Sequence, residues 1–249
     1  MTIKNIKWEF VNNRKTLYKA FLSCKKIFGA EELDPYKWWI EYYENTKNGT
    51  MKNPYYCLLG FQNNKIIAGI SWNIFTINNI KVAGIGYLWV SQESGMQNKG
   101  IGTFLIEKVE NYLLSNSEKN NNNFGMIILE SNKEIPELNI KSSVGFWEKK
   151  GYKKVEYFNY FSPCVSFDPK NGNNLLKDVP LEFMVKIFKN EVLKTNFFKD
   201  MIDEIYIEWY SQDKENFENI DAFNKANKYI EDSLFKITNT FSGDGIKLK

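Results

Sequence analysis

The chain has 249 residues, 43% hydrophobic and 25% charged, a balance that suits a protein able to bury a sizeable core as one large domain or one domain with an appendage. Its 33 basic and 30 acidic residues leave a formal charge of +3 and are spread along the sequence, so no single-sign field marks a nucleic-acid or membrane surface. The absence of histidine excludes serine-protease-like triads and HExxH metalloprotease chemistry. Any catalysis is left to Glu, Asp, Tyr, Lys, Ser, Cys, water or backbone groups.

In chain order, a short strand over Ile3 to Val11 leads into two helices, Lys15 to Phe28 and Pro35 to Asn45. The second carries Tyr36, Trp38, Trp39, Tyr42 and Tyr43, whose members three and four apart share a face. Strands over Tyr55 to Phe61 and Ile66 to Phe75 are joined by the polar tetrapeptide Gln62 to Lys65, and a third strand, Ile80 to Val90, completes an antiparallel meander. The loop Ser91 to Lys99 opens a helix near Gly100, with Ile101, Phe104, Leu105, Val109, Tyr112 and Leu113 at helical spacing.

An Asn-rich stretch, Asn116 to Asn123, reads as a solvated loop, and the apolar run Phe124 to Leu129 as a strand buried on both faces. A helix over Ser142 to Lys150 ends at Gly151, and Lys153 to Phe161 reads as a strand. Pro163 to Pro180 reads as a long loop before a last strand, Leu181 to Phe188. From Asn190 the pattern turns helical: Leu193, Phe197, Met201, Ile205 and Trp209 line one face, Phe223, Ala226, Ile230 and Leu234 another, and Ser242 to Lys249 is expected to fray.

Cys24, Cys57 and Cys164 are odd in number and far apart, with no zinc or redox spacing. The polar N-terminus and the lack of a long apolar run predict a chain that is neither secreted nor membrane-embedded. A reduced, cytoplasmic location and no metal are expected.

Gln97-Asn98-Lys99-Gly100-Ile101-Gly102 lies between a strand and an amphipathic helix. Small residues let an anion approach the backbone, and the first helical turn offers N–H donors at the positive end of the helix dipole. Thr103 adds a hydroxyl and Lys99 a charge. The spacing fits neither a dinucleotide fingerprint nor a P-loop.

Gln97, Gly100 and Gly102 together resemble the signature of the GNAT acyltransferase superfamily: Gln or Arg, two variable residues, Gly, one variable residue, Gly or Ala. The resemblance extends through Leu88-Trp89-Val90, the Phe124 to Leu129 strand and the segment Val144 to Tyr152, and strand order matches from Ile3 to Phe188. It implies an α+β fold with a mixed, mostly antiparallel central sheet flanked by helices over residues 1–189, and leaves 190–249 as a C-terminal helical extension that caps the domain, closes the acceptor site or forms a homodimer interface. It also implies acetyl-CoA as co-substrate, with the pyrophosphate on Gln97, Asn98, Lys99, Gly100, Ile101, Gly102 and Thr103, the pantetheine arm along Trp89 and Val90, and Trp147 as a further cofactor contact. The thioester carbonyl would be polarised by a backbone N–H of the Ile80 to Val90 strand.

Many relatives place a thiolate-protonating tyrosine where this chain has Trp147, and an asparagine for which Asn139 is only an offset match. Tyr152 follows Gly151 where an apolar ring is usual. Candidates for the base are Glu93 and Glu130, with a water chain as the alternative. The aromatic helix suggests Trp38, Trp39 and Tyr42 as acceptor contacts, with Glu41 or Glu44 to attract a cation. The expected activity is acetyl transfer to a primary amine of a small molecule. The alternatives are acetylation of a protein N-terminus or lysine, and a CoA-binding sensor without catalysis.

Overall fold

The computed structural model describes residues 3–28, 33–119, 123–134, 142–167, 174–210, 220–239 and 245–249. The fold is α+β, with mostly antiparallel strand pairing and flanking helices, and its contacts divide into two compact units, Met1–Phe124 and Gly125–Lys249.

The first unit contains β1 (Lys7–Phe10), α1 (Arg14–Lys25), α2 (Tyr36–Asn48), β2 (Tyr55–Gln62), β3 (Lys65–Ile77), β4 (Ile80–Val90) and α3 (Ile101–Lys119). Strands β1 to β4 pair in sequence order, each antiparallel to the next. Both hairpin turns use asparagine pairs: Asn63 and Asn64 at φ 49° and 60°, Asn78 and Asn79 at 47° and 63°, the left-handed conformations that two-residue hairpins require and that Asn tolerates. The expected first strand is shorter than its apolar pattern, because Ile3–Asn5 forms a 3-10 turn. The expected Asn-rich loop is also shorter, since α3 continues through Asn116 to Lys119.

The two faces of this sheet bury different residues, as the two-residue period of a strand dictates. On one face Cys57, Leu59 and Trp89 join Leu17, Ala20 and Cys24 of α1 and Trp39 and Tyr43 of α2 in a single core. On the other, Tyr112 of α3 meets Phe10 at 5.3 Å, Tyr56 at 5.7 Å and Trp72 at 5.8 Å between ring centroids. Gly69 on β3 faces the Trp89 indole so closely that a Cβ there would lie 2.2 Å from a ring carbon. Gly69→Ala should therefore lower stability by about 2 kcal/mol, within the usual cost of overpacking a core. A urea titration showing no loss would mean that the indole has room to move.

Register in β3 and β4 breaks once. Ser71 pairs with Tyr87 and Trp72 with Ile85, which leaves Gly86 as an extra residue on β4. Adjacent Ser71 and Trp72 point to opposite faces, so Ile85 and Tyr87 do too, although two residues apart in an unbroken strand would share a face. The bulge thus turns Tyr87 and Trp89 toward α1 and α2. At the break the Tyr87 N–H donates to Ser71 Oγ at 3.3 Å.

The second unit contains all of β5 (Phe124–Asn132) beyond its first residue, then α4 (Val144–Glu148), β6 (Lys153–Lys154), β7 (Phe161–Phe167), β8 (Asn174–Ile187), α5 (Thr195–Tyr210) and α6 (Ile220–Thr238). Strand β8 pairs antiparallel with β5, β6 and β7. Two segments of this unit differ from the expectation. The strand expected over Lys153 to Phe161 is only Lys153–Lys154, and Tyr157 takes a left-handed φ of 57°. The loop expected over Pro163 to Pro180 is largely a hairpin, in which Phe161 pairs with Pro180 and Pro163 with Asp178. Among the described residues β7 pairs with β8 alone, and an edge strand accommodates a proline because its free side needs no donor.

Helix α5 buries Phe197, Met201 and Ile205 of the expected face, with Phe198, Ile202 and Tyr206 beside them, while Trp209 is half-buried and Leu193 lies in a 3-10 turn before the helix. Phe158, Phe183 and Phe198 meet there at 5.6 to 5.9 Å. Helix α6 packs on β7 and β8. The end of the chain is not frayed over 245–249. Lys249 and Lys154 exchange backbone hydrogen bonds at 3.0 and 3.2 Å, and the Glu156 N–H donates to the Lys247 carbonyl at 2.9 Å. The edge of β6 is thereby paired, which satisfies backbone groups that would otherwise template aggregation. Among the described residues no helix is long and apolar enough to cross a membrane.

Candidate active site

The loop from β4 to α3 begins with a 3-10 turn, Gln92–Ser94, closed by Gly95 at φ 60°. Met96 is fully buried and pins the loop, whereas Gln97, Asn98, Lys99 and Gly100 are exposed. Asn98 at φ 60° and Gly100 at φ 80° both take left-handed conformations. The first bond of α3 runs from the Phe104 N–H to the Gly100 carbonyl at 2.9 Å. The N–H groups of Ile101, Gly102 and Thr103 therefore precede the intrahelical ladder and lie at the positive end of a helix of 19 residues that has no acidic side chain in its first turn. A Cβ added at Gly100 would meet only Ile3 Cδ1, at 3.8 Å, so the surface above the turn is open. The arrangement suits a phosphate.

Of the two strand residues expected along the thioester arm, Val90 is half-buried and Trp89 is 1% exposed. The Trp89 side chain faces the core and its Nε1 donates to Ser23 Oγ at 3.1 Å. Any contact to a ligand at that position comes from its backbone.

The expected bases have different surroundings. The Glu93 carboxylate is exposed and pairs with Lys26 Nζ at 3.1 and 3.2 Å, an arrangement in which water screens most of the attraction. Glu130, in the second unit, receives the hydroxyl protons of Tyr160 and Tyr210. Burial raises both phenols well above the usual tyrosine range, so they remain neutral donors to a carboxylate, the stronger class of hydrogen bond. This three-residue clasp ties β5 to α5.

Trp147 is 6% exposed and Tyr152 is 1% exposed. Their rings meet edge-on at 5.2 Å, and Lys186 Nζ sits 5.7 Å from the centre of the Tyr152 ring. The helix expected over Ser142 to Lys150 is shorter, Val144–Glu148 with Lys149 as its C-cap, and Gly151 follows at a left-handed φ of 83°. Asn139 lies outside the described residues. A tyrosine so enclosed in the core of the second unit suits packing, and Tyr152→Phe is expected to retain turnover within about threefold. A loss of a hundredfold or more, the range of a positioned acid, would assign the proton donor to it.

In the aromatic helix, Trp39 is 1% exposed, while Trp38 and Tyr42 are half-buried. Trp39 stacks on Tyr87 at 5.6 Å and meets Tyr55 at 6.2 Å and Phe21 at 5.7 Å. The Glu44 carboxylate is taken by Arg14 at 2.7 Å, and Glu41 is exposed.

Sequence reasoning missed Asp34. An Asp-Pro pair at the head of a helix reads as a cap, with Asp at the N-cap and Pro at the first helical position. In the structure Pro35 is the N-cap and no side chain caps the helix, so the Asp34 carboxyl is available to another partner. The Asp34 N–H donates to the Tyr87 hydroxyl at 2.9 Å. Burial pushes the Asp34 carboxyl up to about 6, and a hydrogen bond from Tyr87 partly offsets that rise. The signals were Gly86, a glycine in a strand that betrays the bulge, and a carboxylate among aromatic residues. Among the described residues no group of three His, Cys, Asp or Glu side chains is placed to hold a metal ion.

Residues 14–127 match the family model described as "Acetyltransferase (GNAT) family". A putative GNAT-family acetyltransferase from Bacteroides thetaiotaomicron superposes with a TM-score of 0.53 at 13% identity, covering 84% of this chain and 100% of that one. An acetyltransferase from Streptococcus agalactiae gives 0.47 at 15% identity over 75% of this chain and 100% of that one. An aminoglycoside 6'-N-acetyltransferase complexed with coenzyme A gives 0.45 at 17% identity over 73% and 96%. No curated protein matches the chain.

Proposed function

We propose, on the match of residues 14–127 to the acetyltransferase (GNAT) family model, that the chain transfers an acetyl group directly from acetyl-CoA to a primary amine of a small molecule. The observation that carries the reading is the turn at Gly100, whose φ of 80° presents the first N–H groups of α3 to an open surface. The residues Gln97 to Thr103 fit a diphosphate: backbone donors, a small residue at the point of closest approach, and the Lys99 ammonium and Thr103 hydroxyl beside them. The β4 strand leads directly into this turn, which suits an extended pantetheine arm lying along Trp89 and Val90.

When bound, acetyl-CoA supplies an activated acyl carbon. The chain's own share is to hold the diphosphate, to aim a backbone N–H of β4 at the thioester oxygen and to receive the amine in the correct orientation. These tasks need positioned backbone more than any one side chain. The reading includes a cytoplasmic location and activity that survives exhaustive chelation.

The test is calorimetric titration of CoA and acetyl-CoA into the purified chain, followed by thiol release with a panel of primary amines. Binding together with amine-dependent release supports the reading. Binding without release from any amine would leave a sensor, and no binding would remove the premise.

A further inference from the structure

The amine that attacks a thioester must first lose a proton, because an aliphatic ammonium has a pKa of about 10, like lysine. In the first unit the candidate for that role is Asp34. Asp34 precedes α2 and is half-buried. Its backbone N–H donates to the hydroxyl of Tyr87 on β4 at 2.9 Å, and that phenol partly offsets the rise that burial imposes on the Asp34 carboxyl. Tyr87 is held in turn from two sides, stacked on Trp39 at 5.6 Å and edge-on to Phe28 at 5.4 Å. It occupies this position only because Gly86 is an extra residue in β4. Three residues on from Tyr87, β4 ends at Val90, where the proposed cofactor arm lies.

We propose that Asp34 is the group that takes the proton from the acceptor, that Tyr87 is its positioning residue, and that the acceptor is a primary aliphatic amine received as its ammonium ion beside Phe28 and Tyr87. The inference rests on the acetyltransferase reading above. The charge and the rings act together: an ammonium gains from a carboxylate and from the face of a half-buried aromatic ring. Phe28 and Tyr87 are both half-buried; one face of Tyr87 is covered by the buried Trp39, so the ring surface left to a ligand is that of Phe28 and the uncovered part of Tyr87.

The proton balance closes. The Asp34 carboxylate takes one proton from the ammonium, and the free amine forms a C–N bond to the acetyl carbon as the C–S bond breaks and its electron pair leaves on sulfur. The second N–H proton ends on the CoA thiolate, and Asp34 returns its proton to solvent. A base with a pKa near 6 is ionised at neutral pH and is a stronger base than an ordinary aspartate. The titratable groups facing it are Tyr87 from β4 and Cys24 from α1, both held neutral by burial. No cation competes with the substrate among these partners.

Above about 6 Asp34 is a carboxylate and competent, and below it the acid form cannot accept a proton, so kcat/KM should fall tenfold per pH unit below about 6. Tyr87→Phe removes the hydrogen bond that holds this pKa down, so the acid limb should move to higher pH. A purely structural role for Tyr87 would not shift it.

The test uses the full chain with acetyl-CoA and a short diamine. Asp34→Asn is expected to lose at least a hundredfold in kcat/KM, as for a removed general base, with the affinity for CoA kept within twofold and calorimetric binding of the diamine lost. A carboxyl-carbon NMR titration of the wild-type chain should show one aspartate with a midpoint near 6, displaced upward in Tyr87→Phe. If Asp34→Asn binds CoA and keeps its rate within threefold, the proposal is overturned and the acetyltransferase reading stands. If the wild-type chain does not bind CoA, that reading fails and takes the proposal with it. Should Asp34→Asn fail to fold, the wild-type titration and pH profile decide, and the absence of a midpoint and limb near 6 overturns the proposal.

Discussion

Gly100→Val should weaken acetyl-CoA binding by about a hundredfold while leaving the chain folded. Two costs act together at this position. The backbone sits at φ 80°, a conformation that costs a residue with a Cβ about 1–2 kcal/mol and a β-branched residue more. Relaxing that strain would rotate the peptide that opens α3 and turn its first N–H groups away from the ligand. Losing even one or two charge-assisted hydrogen bonds at about 1.5–3 kcal/mol each gives the expected factor, since about 1.4 kcal/mol is tenfold.

The added side chain meets only Ile3 Cδ1, at 3.8 Å from its Cβ, so the loss should fall on the ligand and not on packing. Gly95 supplies the control. It has a similar φ of 60° with nothing within 4 Å of an added Cβ, but it lies before the helix turn. Gly95→Val carries the same kind of strain and should keep its CoA affinity. Equal losses in both variants, or none in Gly100→Val, would remove the anion site from this turn.

Trp39→Ala should cost about 3–5 kcal/mol of folding stability, the range for emptying a large buried aromatic site, out of the 5–15 kcal/mol typical of a whole domain. The ring is 1% exposed and touches Tyr87, Tyr55 and Phe21. Its removal leaves a cavity bounded by both helices and the sheet. It also removes the surface on which Tyr87 stacks, so the rate should fall with the stability. Urea denaturation checks the first claim. A variant as stable as its parent but with a raised KM for the amine would instead place Trp39 in the acceptor pocket.

The parts of this chain that could be read in advance are those where one local pattern decides. The Gln97 to Gly102 spacing and the amphipathic stripe of α3 survive almost unchanged, because a helix start and its glycine turn are local events. The Asn63-Asn64 turn did too. What escaped depends on partners distant in sequence. Pro163 and Pro180 read as breakers, yet they sit in paired strands, one of which has a free edge to receive its proline. The terminal residues Lys247 to Lys249 carry no strand pattern of their own and are ordered by the exposed edge at Lys154 and Glu156.

Asp34 was hidden for a related reason. Capping chemistry explains an Asp before a Pro so well that nothing prompts a second reading, and its partner Tyr87 faces Asp34 only because one extra residue, Gly86, reverses the strand's alternation. The surroundings of Glu130 were not legible either: its two tyrosine donors, Tyr160 and Tyr210, come from segments that no local pattern connects to it.

The most direct test of the whole account is the release of CoA thiol from acetyl-CoA by the purified chain, followed with and without a primary aliphatic amine and matched to the acetylated product by mass spectrometry. The account predicts release that depends on the amine and equals the acetylamide formed, mole for mole. Saturable CoA binding with no amine-dependent release across short diamines, amino acids and aminoglycosides would contradict it.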